Sequence, residues 1–379
     1  MKKCHIAYLA CTAALLGTGL GAAPSVAGHT VHVVRPGESI QKAVDAARPG
    51  DTVLLTSGTF HESVKVSTPG LTLRGMGNRT VLKPDPRVST STATSTATST
   101  TSAAASAASA ASAAKATQSC AEGGNGICVL GTKKRDVKGV TVASLTVTGF
   151  TKAGVFSMAT DGLTVRHVTA VKNGVWGIAT ERSVRGVFQD NVARNNGDAG
   201  LFLANTIKEE QGAADTKGTV VEHNRLEGNR IGVTVRRLRD LTVAHNHLTG
   251  NCAGVFVVGD ENKPKAGFVT VAENHIVRNN KSCPKTAKLA ALQGSGIVLT
   301  GAEDSLVTRN VIEENAGKSP LSGGIVLFKS FVGTTSDRNR VTDNVLRDNS
   351  PADLINTDTG KGNAFMGNDC RASKPSGLC

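Results

Sequence analysis

The chain from about residue 137 onward repeats one pattern of apolar, glycine and asparagine positions. Each repeat carries a glycine followed by a branched apolar residue, and these glycines are Gly154, Gly177, Gly200, Gly232, Gly254, Gly296 and Gly324. An asparagine recurs at Asn191, Asn224, Asn246, Asn274, Asn310 and Asn344, and another follows five residues later at Asn196, Asn229, Asn251, Asn279, Asn315 and Asn349. Asn173 begins the second column early, and Asn363 and Asn368 repeat the pair near the end. Repetition every 22 to 24 residues or so, before insertions, predicts a solenoid whose units bury apolar side chains only against their neighbours.

The residues after each glycine alternate as they do in a β-strand. One column is predicted to face the core: Val155, Ile178, Leu201, Val233, Val255, Ile297 and Ile325. The next column is predicted to face outward and is unusually apolar: Phe156, Ala179, Phe202, Thr234, Phe256, Val298 and Val326. Exposed apolar columns mark binding surfaces or surfaces under loops, and we expect insertions to cover much of this one, at 205–217, 259–266, 281–294 and 316–322.

The predicted fold is therefore all-β, a single-stranded right-handed parallel β-helix with a short N-terminal capping helix. We expect the asparagines to occupy left-handed turn positions and to stack amide on amide between coils. Residues 39–47 predict the helix, with Ser39 as its N-cap and Ile40 and Val44 on its apolar face. Short strands are predicted at 53–55, 64–66 and 71–73, and the helix is predicted to cover the open end of the stack.

Four segments follow from these patterns. Residues 1–27 resemble a secretory signal peptide, with Lys2 and Lys3 before an apolar run and small residues at the cleavage position. Residues 28–87 form the cap and first coils, residues 88–119 a disordered Ser/Thr/Ala-rich insertion, and residues 120–379 the β-helix repeats. No later segment has enough unbroken apolar length to span a bilayer, so we predict a secreted, extracellular protein.

Export favours disulfides for the six cysteines that follow the signal peptide. Their positions suggest the pairs Cys120–Cys128, Cys252–Cys283 and Cys370–Cys379, although the sequence leaves the connectivity open. The formal net charge of +13 favours an anionic partner, or serves solubility alone. The basic residues are scattered, so we expect no nucleic-acid partner, and we expect a monomer.

The stretch VRPGESIQKAVDAARPGDTVLLTSGTFHESVKV, with GLTLRG and the asparagine-rich coils after it, resembles the pectin-lyase-like superfamily of right-handed β-helices. Within that superfamily it is similar to mannuronan C5-epimerases and to the periplasmic maturation protein of nitrous oxide reductase. Such epimerases carry a Tyr-Gly-x-Asp-Pro-His-Asp motif. Only Gly177 of that motif is kept here, since Trp176 replaces the tyrosine, Ala179 the first aspartate, and Glu181 and Arg182 the histidine and last aspartate. The family's catalytic residues therefore do not carry over.

A different set of residues near the ends of the glycine-headed strands could act on a uronate polymer. Arg236 and Arg237 could hold carboxylates bidentately, and Glu181, beside Arg182, could act as acid or base. The only tyrosine, Tyr8, lies in the signal peptide and cannot be the base. The alternative reading of the charged residues is a solvated salt-bridge patch. The predicted substrate-binding residues are Trp176, Phe156, Phe202, Asn205 and Phe256.

Metal sites have weaker support. Asp190, His223, His245 and Glu273 precede the first asparagine column on consecutive coils, and two imidazoles with an acid could bind a metal ion. Arg309 and Asp343 continue that column, which favours an alternating charge ladder. Calcium would be sought at the acidic pairs 260–261 and 303–304, but neither pair alone supplies enough oxygens. We therefore predict no cofactor, with a calcium requirement unsupported.

These observations leave three functions open. The first is a secreted β-helix that binds acidic polysaccharide, with lyase-like or other carbohydrate-modifying activity undecided. The second is a non-catalytic extracellular or cell-envelope structural β-helix. The third, a metal-binding accessory protein, depends on the family resemblance and the histidine column alone.

Overall fold

The computed structural model describes residues 28–86, 119–132, 134–287 and 289–379. The predicted signal peptide, and nearly all of the predicted insertion at 88–119, lie outside these residues. The described part contains 36 strands, numbered here in chain order, one α-helix, α1 (Ile40–Ala46), and one short 3-10 turn, Gly77–Arg79.

The strands form three long sheets and one isolated pair. The first sheet has the order β1 (Val31–Val34), β2 (Thr52–Leu55), β5 (Thr72–Arg74), β9 (Thr141–Ala143), β13 (Thr164–Arg166), β16 (Val187–Gln189), β19 (Ala214–Glu222), β22 (Leu238–Ala244), β25 (Ala266–Ala272), β29 (Leu306–Thr308), β32 (Arg340–Thr342) and β35 (Ala364–Met366), with β28 (Ala302–Glu303) beside β25. The second sheet has the order β3 (Gly58–His61), β6 (Thr80–Lys83), β10 (Thr146–Thr148), β14 (Thr169–Val171), β17 (Val192–Arg194), β20 (Arg225–Glu227), β23 (His247–Thr249), β26 (His275–Val277), β30 (Val311–Glu313) and β33 (Val345–Arg347).

The third sheet contains the glycine-headed strands. It runs through β4 (Val64–Val66), β7 (Ile127–Leu130), β11 (Ala153–Met158), β15 (Trp176–Glu181), β18 (Ala199–Ala204), β21 (Ile231–Arg236), β24 (Ala253–Val258), β27 (Ser295–Thr300), β31 (Gly323–Leu327), β34 (Leu354–Asn356) and β36 (Ser373–Lys374). The isolated pair is β8 (Val137–Lys138) with β12 (Thr160–Asp161). Neighbouring strands in these sheets pair in parallel, and the chain visits the first, second and third sheets in turn before starting the next coil. The predicted all-β solenoid is thus confirmed.

The core of the solenoid is filled by the column that was predicted to face inward. Val155 lies opposite Ile178, and Ile178 opposite Leu201, so each coil places the same position over the last. All seven members of this column are at most 2% exposed and belong to the single cluster that fills the interior.

The glycine column exists because neighbouring coils approach closely at that position. A Cβ atom on Gly200 would lie 2.9 Å from the carbonyl oxygen of Gly232 and 3.0 Å from the side-chain nitrogen Nδ2 of Asn229. A side chain there would push apart two coils whose backbones are hydrogen-bonded to each other. Glycine is therefore needed at this position for lack of space rather than for an unusual φ angle.

The two asparagine columns form two continuous ladders of buried hydrogen bonds. In the first, between the first and second sheets, Asn224 Nδ2 donates to Asn246 Oδ1 at 2.9 Å, and Asn246 Nδ2 donates to Asn274 Oδ1 at 3.0 Å. Each Oδ1 also accepts the backbone N–H of the asparagine one coil before it, as Asn246 Oδ1 does from Asn224. The second ladder, between the second and third sheets, begins at Asn173 and repeats this arrangement. The amides therefore satisfy backbone groups that two sharp turns per coil would leave unpaired.

Three details of the predicted ladder are wrong. The asparagines themselves do not occupy the left-handed positions, because the positive φ angles belong to the preceding residues, such as His223 and His245 at 55°. Asn363 does not repeat the first column but bonds to Asn339 in a separate pair. Asn368 ends the first ladder, and the second ends on a carboxylate, Asp353.

The N-terminal helix forms where the sequence predicted one. The Ser39 hydroxyl accepts the N–H of Lys42, and the Glu62 carboxylate accepts the N–H groups of Ile40 and Gln41, which satisfies the helix N-terminus. Ile40 and Val44 are buried in the main core. That the helix closes the open end of the stack stays a prediction.

Strands form at the three early positions that the sequence predicted, but β1, β3 and β6 were missed. All three suggested disulfides are confirmed: Cys120–Cys128, Cys252–Cys283 and Cys370–Cys379, with Cα–Cα separations of 5.7, 6.1 and 5.4 Å. The second ties the insertion at 281–294 to the turn before β24.

We expect Asn274→Ala to lower the free energy of unfolding by about 3 kcal/mol or more, because each buried partner left unpaired costs about 1–3 kcal/mol. The backbone N–H and the side-chain N–H of Asn246 would both lose their acceptor, and the carbonyls of Val243 and Ala272 would each lose a donor. Urea denaturation followed by circular dichroism would measure the loss. Asn195→Gly, at an exposed position with a φ of 55°, is the control, and an equal effect in both variants would contradict the ladder's role.

Candidate functional site

Loops cover most of the outer face of the third sheet. The outward column predicted from the sequence is confirmed as outward, but Phe202, Phe256, Val298 and Val326 are at most 7% exposed. They belong to a second apolar cluster, outside the main core, which includes Leu292 and Leu321 from the insertions at 281–294 and 316–322. The expectation that loops cover much of this column is confirmed.

The loop at 205–213 lies across the C-terminal ends of strands in the middle of the third sheet. Three of the four predicted catalytic residues bond to its backbone. The Glu181 carboxylate accepts the N–H of Ile207 at 3.1 Å. From a later coil, Arg236 Nη1 donates to the carbonyl of Ile207 at 3.0 Å, and Arg237 Nη1 donates to that of Glu209 at 2.7 Å. The structure thus brings these three side chains together around a loop backbone.

The arginines in this group are desolvated and largely paired. The side chain of Arg237 is 6% exposed and forms ion pairs with Asp260 and, at 3.6 Å, with Glu210. Burial, followed by the neighbouring charge of Arg237, lowers the pKa of Arg236. Arg182 is half-buried, with no side-chain hydrogen bond or ion pair to the described residues. A catalytic role for the four residues stays a prediction.

The predicted substrate-binding residues have unequal exposure. Trp176 is buried and stacks on Phe202 with ring centroids 4.8 Å apart, and Phe256 is buried further along the column. Asn205 is buried too, and its side-chain amide donates to the carbonyl of Gly212 at 2.6 Å. Phe156 is half-buried and reaches solvent.

A half-buried charged group that the sequence interpretation missed lies beside Trp176. The indole N–H of Trp176 donates to Asp198 Oδ2 at 3.1 Å, and Lys152 Nζ lies 5.9 Å from the indole centroid. Burial raises the pKa of Asp198, against the opposing effects of the indole hydrogen bond and the Arg230 charge. Lys152, Asp198 and Arg230 each stand two residues before a column glycine, and that shared position was the signal in the sequence.

Within the described ranges, the earliest strands of the third sheet leave part of its outer face open. A cleft of about 200 Å³ lies there, and its lining residues are Lys65, Ser67, Pro69, Leu130, Gly131, Thr132, Arg135, Asp136, Val137 and Met158. Parallel register places Leu130 opposite Met158, and Met158 opposite Glu181, so the cleft continues along the sheet toward the loop at 205–213. We call the cleft, with Phe156 and Glu181, the open stretch. Sequence interpretation missed it because β4 and β7 precede the regular repeat.

The open stretch combines cations with apolar surface. Lys65 and Arg135 are exposed, whereas Leu130, Phe156 and Met158 are half-buried. Such a surface can pair with an anionic group while packing against the apolar face of the same ligand.

The predicted histidine column forms a ladder of stacked and paired side chains. The rings of His223 and His245 stack with centroids 5.1 Å apart, and His245 lies 3.5 Å from the carboxylate of Glu273. Arg309 donates to the same carboxylate at 2.7 Å and lowers its pKa. The geometry is that of the alternating ladder suggested by the sequence.

No group of three or more histidine, cysteine, aspartate or glutamate side chains in the described ranges is placed to hold a metal ion. Each of the two acidic pairs considered for calcium includes a residue that pairs with arginine: Asp260 with Arg237, and both Glu303 and Asp304 with Arg338. A metal-handling role and a calcium requirement stay untested.

Two protein families match the chain. The family described as right handed beta helix region matches residues 109–268, and the family described as periplasmic copper-binding protein (NosD) matches residues 204–373. The chain is a right-handed parallel β-helix protein. No curated protein sequence matches this β-helix protein.

Solved structures of similar fold cover nearly all of the chain. The A-module of mannuronan C-5 epimerase AlgE4 from Azotobacter vinelandii is 18% identical, with a TM-score of 0.53, covering 87% of this chain and 90% of the epimerase module. An alginate lyase from Paenibacillus sp. is 14% identical, with a TM-score of 0.54, covering 88% of this chain and 99% of the lyase. DFA-IIIase from Arthrobacter chlorophenolicus A6 is 12% identical, with a TM-score of 0.55, covering 88% of this chain and 79% of the DFA-IIIase chain. At these identities the similarity shows the fold alone.

No helix among the described residues of the β-helix protein is both long and apolar enough to cross a bilayer.

The ionisation of Asp198, whose pKa is raised, can be followed by the fluorescence of Trp176, which is the only tryptophan in the chain. We expect tryptophan fluorescence to change with pH at a midpoint above 3.8, the ordinary value for aspartate, because burial disfavours the carboxylate. With its folded-state pKa raised, this group favours folding below its unfolded-state pKa, and that contribution is lost as pH rises through the folded-state value. Asp198→Asn should abolish the change, and a midpoint at or below 3.8, or an unchanged titration in the variant, would contradict the assignment.

We expect Arg237→Ala to release the loop at 205–213. Limited proteolysis after Lys208 should become about tenfold faster or more, since the loop loses hydrogen bonds to a buried charge. Arg182→Ala is the matched control, because the side chain of this neighbouring arginine does not bond to the loop and its backbone N–H, which donates to the carbonyl of Asn205, is kept. Equal cleavage rates for the two variants would show that Arg237 does not hold the loop.

Proposed function

We propose that this β-helix protein binds an acidic polysaccharide along the open stretch of the third sheet. The observation that supports this most directly is the cleft between Lys65 and Arg135, beside the half-buried Phe156 and Met158. An acidic sugar presents carboxylates at its edge and apolar C–H groups on its face, and this surface offers a partner for each.

The shape of the surface fits a chain-like ligand. The cleft is open along the sheet, and the register from Leu130 through Met158 to Glu181 gives three consecutive outward positions at strand spacing, about 4.8 Å apart. The loop at 205–213 bounds one end. A short run of sugar units could therefore lie across the strands while the rest of the polymer remains in solvent.

The contacts favour binding of the polysaccharide without catalytic turnover. Removal of the C5 proton of a uronate needs a base and a group that neutralises the carboxylate. Glu181 Oε1 already accepts a backbone N–H, and Arg236 and Arg237 already donate to loop carbonyls. Two β-helix proteins of similar fold are named for mannuronan and alginate, which supports an acidic polymer as the ligand here. The three disulfides fit a protein that acts outside the cytoplasm.

The test is affinity electrophoresis of the purified protein in gels that contain alginate, polygalacturonate or hyaluronan, with and without calcium. We expect retardation by at least one polymer that weakens with added salt. The double variant Lys65→Ala/Arg135→Ala should bind about tenfold more weakly or worse, because hydrogen bonds to charged groups contribute about 1.5–3 kcal/mol each. Arg166→Ala/Arg194→Ala removes the same charge from exposed positions on the other two sheets and should bind normally.

Three outcomes would change the proposal. Equal weakening in both double variants would show that net charge, rather than the open stretch, attracts the polymer. Unsaturated products that disappear in Glu181→Gln would make the protein a lyase with its base at Glu181. No retardation by any polymer would overturn acidic-polysaccharide binding and favour a structural role.

A further inference from the structure

The row of outward positions that begins in the open stretch continues under the loop at 205–213. Parallel register places Glu181 opposite Ala204 on β18, and Ala204 opposite Arg236 on β21. Ala204 lies in the second apolar cluster, outside the main core, and contributes only a methyl group to this row. A carboxylate and a guanidinium therefore stand on either side of a small residue, two coils apart.

The loop backbone occupies the position above Ala204. The N–H of Ile207 donates to Glu181 Oε1 at 3.1 Å, and the carbonyl of Ile207 accepts from Arg236 Nη1 at 3.0 Å. The Ile207 side chain is half-buried against the second apolar cluster. One residue of the loop thus bridges the two charged side chains that flank Ala204.

The loop also supplies a carboxylate to the neighbouring arginine. The Glu210 carboxylate lies 3.6 Å from Arg237 Nη2, and the carbonyl of Glu209 accepts from Arg237 Nη1 at 2.7 Å. An acidic sugar would present the same kinds of groups, hydroxyl donors, oxygen acceptors and a carboxylate, to these side chains. The loop therefore satisfies the sheet with the chemistry that the proposed ligand offers.

The tip of the loop, residues 206–211, is attached to the sheet by few contacts. Within the described ranges, its hydrogen bonds to the sheet come from side chains at the strand ends, and no backbone-to-backbone hydrogen bond joins it to a strand. The feet of the loop are closed separately, because Asn205 Nδ2 donates to the carbonyl of Gly212 at 2.6 Å. A closed loop held in this way can leave the sheet while the strands stay folded.

We propose that the loop at 205–213 is an internal competitor for the polysaccharide, with its tip in the next binding position along the row. While the loop is closed, the polymer is confined to the open stretch. When the tip leaves, the row extends to Ala204 and Arg236, and a longer run of sugar units binds. This inference rests on the proposed function, because the ligand of the open stretch is also the ligand of the covered position.

The test compares the purified protein with a variant in which three glycines replace residues 206–211. Both are titrated with oligomers of increasing length, taken from the polymer that binds most tightly. For the parent we expect affinity to stop rising once the open stretch is filled. The variant should bind short oligomers equally and long ones about tenfold more tightly, because Arg236 is freed to pair with a carboxylate. Hydrogen–deuterium exchange should show protection of β21 by long oligomers in the variant and not in the parent.

Glu261→Gln is the control for net charge. Residues 206–211 contain one lysine and two glutamates, so their replacement raises the net charge by one, as this substitution at an exposed position does. Glu261→Gln should bind long oligomers as the parent does. Adding Arg236→Ala to the loop-replaced variant should remove the gain in affinity. Circular dichroism and thermal unfolding should show that each variant is folded as the parent is.

The outcomes separate this proposal from polysaccharide binding itself. Equal affinity of the parent and the loop-replaced variant for long oligomers, or weaker binding by the variant, would overturn the competing role of the loop and leave binding along the open stretch intact. An equal gain in Glu261→Gln would overturn it as well, since charge would explain the gain. Absence of binding by both proteins to every polymer would overturn both proposals.

Discussion

The buried asparagine ladders are the interaction on which the rest of the structure depends. A three-sided coil turns sharply at each corner, and every turn directs backbone N–H and C=O groups into an interior without water. Asn224, Asn246 and Asn274 satisfy these groups and join each coil to the next in one arrangement. Because the ladders and the glycine column hold each coil in register with the next, insertions beside them leave that register unchanged. The loops at 205–213, 281–294 and 316–322 are such insertions.

Those loops decide which part of the third sheet can meet a ligand. Over the middle and late coils, residues such as Leu292 and Leu321 bury the outward column in a second apolar cluster, so Phe202 and Phe256 stabilise the loops. Arg236 and Arg237 hold the loop at 205–213. Among the described residues, the early coils, where short connections follow β4 and β7, leave part of the sheet open.

The sequence predicts the architecture well because each position of the repeat has the same packing environment in every coil. The inward column, the outward column, the helix at 39–47, the strands near Val53 and Leu73, and all three disulfides follow from periodicity, position and compartment. The left-handed turn positions were misplaced because asparagine tolerates that conformation, whereas the residue before it, such as His245, is the one that adopts it. The candidate site was less predictable. Lys65 and Arg135 come together only through the β4–β7 pairing across the 88–119 insertion, and no local pattern encodes that contact.

Hydrogen–deuterium exchange of the protein with and without an oligomer of the polymer that binds most tightly tests the central claim most directly. The account predicts slower exchange in residues 64–69, 127–132, 134–137 and 156–158, which contain the open stretch apart from Glu181. It predicts unchanged exchange in the loop-covered strands from β21 to β31. Protection confined to those later strands, or to the second sheet, would contradict it.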